Sequence, residues 1–449
     1  MFHSKNSNLT TGNPFRSLLT FAIPVIIGNL FQLFYTLADS VIVGKTLGTN
    51  ALAAVGSSSM IIYFVLCFIN GLTSGFGICL GQRYGAKDTA GMQKSIASSA
   101  ILSVIFTVLL TIVCCFFSHQ LIKIMKIPSS ISRQAYVYMF IVLLGTGATI
   151  FYNLISNMLR ALGDSKTPLY FLVFSSLLNI VLDLLFILSF HIGVAGAAWA
   201  TIISQLLSGL LCLIVGLKKY PVLHLHKTYF DCLRHPLLQH LKLGFQMGFQ
   251  MSVMCIGQLA MQVVVNSLGT SAVAGYTAAT KVDQISVLIN NAMITAISTY
   301  VAQNFGAGNK ERIHQGVRAC LIQTECFNLM MCAGILVLRH SIVRLFLSNP
   351  SPDIYHYSDS YLTVIAPFYF LLGLLSIYRA AVQSMNNSLA PFMGCMIELF
   401  MRLTATLVLS AIWGYFAVCI ASPLAWFGSC SLLIPCYYKI QHSKPKGTR

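Results

Sequence analysis

The sequence predicts an all-α polytopic membrane protein, with twelve transmembrane helices in two six-helix, pseudo-symmetric bundles around a central cavity. Three observations lead to this prediction: the composition, the recurrence of long apolar stretches, and an internal repeat. Of the 449 residues, 56% are hydrophobic and 9% are charged, and the mean hydropathy is +0.77. A soluble domain carries roughly 25% charged residues, so this composition leaves no room for a large aqueous domain.

Apolar stretches of about 20 residues, the length needed to cross a bilayer, recur along the whole chain. The first residues are polar and lack a short apolar run followed by a small-residue cleavage site, so we predict no removable signal peptide. We place the spans at residues 18–44, 52–80, 95–117, 133–158, 168–189, 194–216, 240–266, 272–302, 314–337, 360–384, 391–413 and 415–437.

The basic residues predict the orientation in the membrane. The formal net charge is +17, which on a soluble protein would suggest a nucleic-acid partner. With both termini placed in the cytoplasm, the inside loops and tails hold 19 lysines and arginines, and the outside loops hold 6. Because positive residues collect on the cytoplasmic side, we expect a multi-pass protein of the bacterial plasma membrane with both termini cytoplasmic. We expect contact with the lipid bilayer and none with nucleic acid.

An internal repeat divides the chain in two. The segment Leu47–Ala53 (LGTNALA) returns as Leu268–Ala274 (LGTSAVA), at an offset of 221 residues. Gln82, followed by Gly-Ala three residues later, returns at the same offset as Gln303. An even number of spans in each half gives both halves one orientation, with a pseudo-two-fold axis along the membrane normal and a substrate path at their interface.

The repeat and the long basic loop between the halves predict the domain limits. We assign a cytoplasmic N-terminal tail, an N-lobe, a cytoplasmic basic linker, a C-lobe and a cytoplasmic C-terminal tail, at residues 1–17, 18–216, 217–239, 240–437 and 438–449. Most of the 14 cysteines lie in apolar segments, and no CxxC pair is present. We therefore expect them to pack as small hydrophobic residues, and we predict neither a disulfide framework nor a metal site.

The candidate functional residues are the acids placed at membrane depth. The chain has 11 acids, and five lie within predicted spans: Asp39, Asp183, Asp283, Glu325 and Glu398. A carboxylate there costs at least ~2.5–3.5 kcal/mol on insertion scales, so each needs a partner, a cavity or a proton. Burial favours the neutral form of a carboxyl group, so such a group could bind and release a proton, and its ionised form could hold Na⁺ or a cationic compound.

Two of these acids stand among other polar residues of the first half. Asp39 shares a helix face with Gln32 and Tyr35, because the spacings are 3 and 4 residues. Asp183 follows Asn179 by one turn of the fifth span. The fourth span adds an amide pair, Asn153 and Asn157. We predict that these groups face one cavity; the alternative is that Asp39 or Asp183 makes a structural hydrogen bond between helices.

The second half offers a different set of polar groups. Four glutamines, spaced 4, 8 and 4 residues apart on the seventh span, predict a polar stripe toward the cavity: Gln246, Gln250, Gln258 and Gln262. Lys281 and Asp283 lie in the eighth span but point to different faces, so neither is simply the partner of the other.

The remaining acids of the second half allow structural interpretations. Glu398 and Arg402 are one helical turn apart in the eleventh span, and we predict that they form an ion pair. Glu325 stands alone in the ninth span, with structural and functional roles both open.

Several motifs in a fixed order resemble the MATE family (multidrug and toxic compound extrusion), and the resemblance covers about residues 14 to 437. The segments that carry it are Pro24 to Asp39, LGTNALAAVG at 47–56, QRYGA at 82–86, RALGD at 160–164, Asn179 to Asp183, GVAGAAWATIISQ at 193–205, AGYTAATKVDQI at 274–285 and QNFGA at 303–307.

The resemblance implies a twelve-helix antiporter with two lobes and a V-shaped central cavity. Such a protein would export amphipathic, often cationic, compounds in exchange for H⁺ or Na⁺, probably as a monomer in the sense that no partner chain is implied, and without a cofactor. Acids in the first and fifth spans look like the DinF-like branch. There the pair matching Asp39 and Asp183 belongs to an N-lobe proton or cation site, surrounded by residues matching Tyr35, Asn157, Asn179 and Thr201.

The other bacterial branch of the family places acids on spans seven, eight and ten. This chain has none on spans seven or ten, and Asp283 on span eight leaves a second-lobe cation site open. One alternative function is a flippase for lipid-linked cell-wall or polysaccharide precursors, which would favour a cationic cavity, whereas only Lys281, Arg379 and Arg402 lie within spans. An intramembrane enzyme or an ATPase is disfavoured, because no HExxH pair and no GxxxxGK[ST] loop is present.

Overall fold

A computed structural model describes residues 8–125, 127–225, 229, 233–346 and 351–443 of the chain. Within these residues, every element of regular secondary structure is a helix. The helices of the first half are α1 (Pro14–Leu47), α2 (Thr49–Gly85), α3 (Thr89–Ile124), α4 (Ser129–Leu144), α5 (Thr146–Ala161), α6 (Lys166–Leu184) and α7 (Val194–Lys219). Those of the second half are α8 (Arg234–Ser267), α9 (Thr270–Gly306), α10 (Lys310–Phe346), α11 (Pro352–Ile365), α12 (Tyr369–Ser384), α13 (Leu389–Leu403), α14 (Ser410–Trp413) and α15 (Tyr415–His442).

The prediction of twelve helical spans is confirmed. Among the described residues, eleven helical segments are long and apolar enough to cross a membrane by themselves. A twelfth span forms from α4 and α5, which meet at a bend of 43°. Each predicted span lies within one of these segments, and the helices extend beyond it at one or both ends. The extensions were missed because the helices continue into polar residues, whereas the prediction followed the apolar stretches.

The chain divides into two compact units. Unit 1 contains residues 23–251, and unit 2 contains residues 9–22 and the chain from residue 252 onward. The predicted N-lobe and C-lobe limits stay predictions. Parts of the predicted tails and of the linker at 217–239 lie outside the described residues.

The backbone repeats its irregular features in the two halves. Gly48, before α2, has a φ of +87°, and Gly269, before α9, has a φ of +99°. These two glycines are 221 residues apart, and both occupy a region of φ that side chains rarely tolerate. A π-helical turn ends the span that begins with α6, at Leu185–Ser189, and another follows α13, at Thr404–Leu409. The repeat seen in the sequence is therefore also a repeat of local structure.

Asp164 ties the turn between α5 and α6 to the end of α7. Its Oδ1 accepts hydrogen bonds from the backbone N–H groups of Lys166 and Thr167, at 3.2 and 3.0 Å. Its Oδ2 accepts from the Thr167 hydroxyl at 2.7 Å, the Lys219 ammonium at 2.6 Å and the Tyr220 hydroxyl at 3.3 Å. Only 6% of Asp164 is exposed, so these bonds compensate a carboxylate that is largely removed from water.

The bonds to Asp164 favour its ionised form. Burial raises the pKa of this carboxyl, but the hydrogen bonds from Lys219 and Thr167 lower it by more, so the pKa lies below its ordinary value. A carboxyl group of this kind stabilises the fold fully above its unfolded pKa of about 3.9, and the stabilisation is lost as the pH falls through the folded pKa. The contribution of Asp164 is therefore complete at neutral pH.

We expect Asp164→Ala to lower the free energy of unfolding by about 1–3 kcal/mol at pH 7, because Lys219 and Tyr220 lose a shared acceptor. The difference from the wild type should shrink as the pH falls below about 4, where the wild-type carboxylate becomes protonated. Unfolding of the detergent-solubilised protein by denaturant, followed by circular dichroism over a range of pH, measures both effects.

Asp88→Ala is the control for this experiment. Asp88 caps the start of α3 by accepting a hydrogen bond from the Gly91 N–H at 2.8 Å, and 39% of its side chain is exposed. Its loss should cost about 1 kcal/mol, as for other N-caps. A larger loss at Asp88 than at Asp164, or no loss at Asp164, would contradict the role assigned to Asp164.

Candidate functional site

The structure brings Asp39 and Asp183 together within unit 1. Asp183 lies on α6 and is fully buried, with 0% of its surface exposed. Asp39 lies on α1 and is half-buried. The two carboxyl groups are close enough to act on each other electrostatically, but their geometry does not form a hydrogen bond. The two acids predicted from sequence to work as a pair are thus neighbours.

The polar atoms around this pair are acceptors without donors. Both carboxyl oxygens of Asp183, Oδ1 of Asp39 and Oδ1 of Asn179 are enclosed, and none of them has a hydrogen-bond partner among the described residues. Buried polar atoms are hydrogen-bonded in the great majority of cases, so four unpartnered oxygens in one place are unusual. Oxygen atoms of this kind bind a proton or a hard cation such as Na⁺.

Asn179 and Thr201 fix the orientation of the amide beside the acids. The Thr201 hydroxyl donates to the Ala197 carbonyl at 3.1 Å, which leaves its oxygen to accept from Nδ2 of Asn179 at 3.5 Å. This long bond assigns the amide nitrogen to the Thr201 side of the group. Oδ1 of Asn179 is therefore the amide atom left without a partner, in agreement with its expected place beside the acids.

Two tyrosines also lie near the acids. Tyr35, on the same helix as Asp39, is close to that carboxyl and to the side chain of Gln32. Tyr138 on α4 is close to Asp39, Asp183 and Tyr35, and it is 8% exposed. The sequence analysis did not identify Tyr138, because a tyrosine in an apolar span is as typical of core packing as of a site.

The amide pair of the fourth span is engaged elsewhere. Nδ2 of Asn157 donates to the Thr73 hydroxyl on α2 at 3.1 Å, and its Oδ1 accepts from Arg160 at 3.3 Å. Nδ2 of Asn153 donates to the backbone carbonyl of Thr149, one turn earlier in its own helix, at 3.0 Å. No bond from either residue to the two acids occurs in the part of the chain that the structure describes.

The polar residues predicted for the second half are spread over both units. Gln246 is half-buried and Gln250 is buried, and both belong to the part of α8 in unit 1. Lys281 on α9 is exposed. Asp283, two residues later, is half-buried, and its Oδ1 accepts a hydrogen bond from the Tyr369 hydroxyl at 2.9 Å. Asp283 is therefore held by a neutral donor on α12.

The predicted ion pair between Glu398 and Arg402 is wrong. Oε1 of Glu398 pairs instead with Nη2 of Arg379 on α12, and both side chains are largely buried. The i,i+4 spacing identified a possible partner on the same helix, but packing of α12 beside α13 brings a different arginine to the carboxylate. Glu325 lies against Gly373, and its Oε1 is enclosed without a hydrogen-bond partner among the described residues.

The MatE family model matches the chain twice, at residues 24–185 and 247–408. The chain belongs to the MATE family. The two matches are offset by 223 residues, which agrees with the repeat in the sequence. The resemblance seen from the motifs is thus confirmed, and the assignment to the DinF-like branch stays a prediction.

Known relatives of this MATE protein are drug transporters by name. It is 34% identical over 442 residues to the probable multidrug resistance protein YpnP of Bacillus subtilis, and the similarity covers 97% of each chain. It is 25% identical to the probable multidrug resistance protein NorM of Thermotoga maritima, over 86% of this chain and 83% of that one. A crystal structure of MATE in the bent conformation matches its fold with a TM-score of 0.90 at 24% identity, over 97% and 98% of the two chains.

The family decides the general function. This MATE protein is a multi-pass membrane transporter of the multidrug efflux class, with small-molecule substrates, and it is not an enzyme. The flippase alternative is not favoured by these relatives.

The buried ion pair in unit 2 gives a testable expectation about stability. We expect Glu398→Gln to destabilise the protein by about 3–5 kcal/mol, because it leaves the Arg379 charge buried without its partner. Replacing both residues by apolar ones, Glu398→Leu with Arg379→Met, should recover most of this loss. Unfolding of the purified variants in detergent measures the difference, and a single variant as stable as the wild type would contradict a structural role for the pair.

Proposed function

We propose that this MATE protein exports amphipathic, often cationic, compounds across the bacterial plasma membrane in exchange for H⁺ or Na⁺. The coupling ion binds at Asp39 and Asp183, with Asn179 beside them. The observation that carries the proposal is the set of four enclosed oxygens without a hydrogen-bond donor. We further propose that the protein acts as a monomer in the bilayer, with both termini cytoplasmic, as the charge bias of the loops suggests.

The physical case for a coupling ion is the cost of two adjacent carboxylates. An ionised carboxylate is expensive at membrane depth, and a second negative charge nearby increases the cost. A proton or a Na⁺ ion removes charge from the pair and gives the unpartnered oxygens a bond. The acids therefore bind a cation when one has access, and half-exposed Asp39 gives the pair a route for that access.

Exchange follows if substrate and coupling ion favour different states of the transporter. Neutralising Asp39 and Asp183 removes the negative charge that attracts a cationic substrate, so binding of the ion favours substrate release. The ion then leaves on the cytoplasmic side, and the restored charge favours new substrate. Each step requires only a difference in affinity between two states. A proton moving down 100 mV supplies about 2.3 kcal/mol, which is enough for a useful gradient of exported compound.

We expect Asp39→Asn and Asp183→Asn each to abolish or strongly reduce coupled export, because asparagine cannot be protonated and carries no charge to hold Na⁺. The measurement is efflux of a fluorescent cation from loaded vesicles, with pH and Na⁺ gradients imposed separately. This design also identifies the coupling ion, because only its gradient should drive export by the wild type.

Asp88→Asn is a matched control for these variants. It makes the same chemical change at a helix cap in the loop before α3, where asparagine caps as well as aspartate. Its export should equal that of the wild type at equal surface expression. Unimpaired export by both Asp39→Asn and Asp183→Asn would remove the proposed coupling site.

A further inference from the structure

Arg402, on α13 in unit 2, is a buried cation without a direct partner. Only 7% of the residue is exposed, and its Nε is fully enclosed without a hydrogen bond. No hydrogen bond or ion pair from its guanidinium occurs among the described residues. An arginine at membrane depth is costly and is normally paired with another residue or with backbone carbonyls. Its charge therefore calls for an anion.

The acids nearest to Arg402 are held by other residues. Glu398, one turn earlier on the same helix, pairs with Arg379. Asp283 is close enough to act on the Arg402 charge, but its Oδ1 accepts the Tyr369 hydroxyl. The protein thus supplies a negative field around the guanidinium without a carboxylate in contact with it.

The neighbouring helices leave space around the guanidinium. Gly257 on α8 faces it, and a Cβ at that position would lie 3.0 Å from Cδ and 3.3 Å from Nη1 of Arg402. Tyr276 on α9 and Tyr361 on α11 are also near the charge. Both tyrosines are buried, and their hydroxyl groups are donors of the kind that complete the recognition of an anion.

We propose that Arg402 binds the carboxylate of zwitterionic substrates, so that unit 2 recognises an anionic group on compounds that also carry a positive charge. Arginine suits this role, because its planar guanidinium presents two parallel N–H donors to a carboxylate. The inference rests on the proposed export function and adds a substrate class to it. Compounds that are only cationic do not need Arg402.

Rhodamine B and its ethyl ester test this proposal, because they share one cationic ring system and differ in whether the carboxylate is free. Transport of both dyes is measured in proteoliposomes under the gradient that drives the wild type. In Arg402→Gln, we expect the KM for rhodamine B to rise on the order of tenfold and that for the ester to change by less than about twofold, since one charge-assisted interaction is lost. Arg402→Lys, which keeps the charge without the planar pair of donors, should give an intermediate change.

Arg339→Gln is the control, because Arg339 is a cation of unit 2 that pairs with Asp359. It should leave the ratio of the two KM values unchanged. If Arg402→Gln does not reach the membrane, Gly257→Ala replaces it: the added methyl displaces the guanidinium, and the KM for rhodamine B alone should rise.

The outcomes separate this inference from the function beneath it. Equal changes for the two dyes in Arg402→Gln, or none for either, would overturn the carboxylate site while leaving cation export intact. A wild type that transports neither dye under a pH or a Na⁺ gradient would instead contradict the proposed export function.

Discussion

Four oxygen atoms in unit 1, from Asp39, Asp183 and Asn179, are enclosed at membrane depth without a hydrogen-bond donor. Water cannot reach such atoms freely, and the protein offers them no proton. Two adjacent carboxyl groups in this setting repel each other when both are charged. A cation relieves both problems at once, so the ion becomes part of the energetics of the transporter rather than an incidental ligand.

The acids of unit 2 are arranged differently. Glu398 has a permanent counter-ion in Arg379, and Asp283 has a hydroxyl donor in Tyr369. A carboxylate that is already compensated gains less from a cation, which favours assigning the coupling role to unit 1. Glu325 is an exception, with one enclosed oxygen lacking a partner, but it has no second carboxyl beside it to repel. The charge left over in unit 2 is the positive one of Arg402.

The twelve spans and the Asp39–Asp183 pair could be predicted from the sequence, because length, hydropathy and a rare acid in an apolar stretch are local signals. Contacts between helices were harder to predict. The i,i+4 spacing assigned Glu398 to Arg402, whereas helix packing gave it to Arg379. Asn157 matched a family position near the acids, yet a threonine on α2 binds its amide. Each miss depended on which faces of two helices meet, and one helix's pattern does not contain that information.

The central claim concerns the protonation of two carboxyl groups, and infrared difference spectroscopy in proteoliposomes observes it directly. The account predicts a protonated-carboxyl band that disappears when the pH is raised, or when Na⁺ is added at constant pH if Na⁺ is the coupling ion. The band should be weakened or absent in Asp183→Asn. A spectrum in which Asp183→Asn gives the same pH-dependent and Na⁺-dependent carboxyl changes as the wild type would contradict the account.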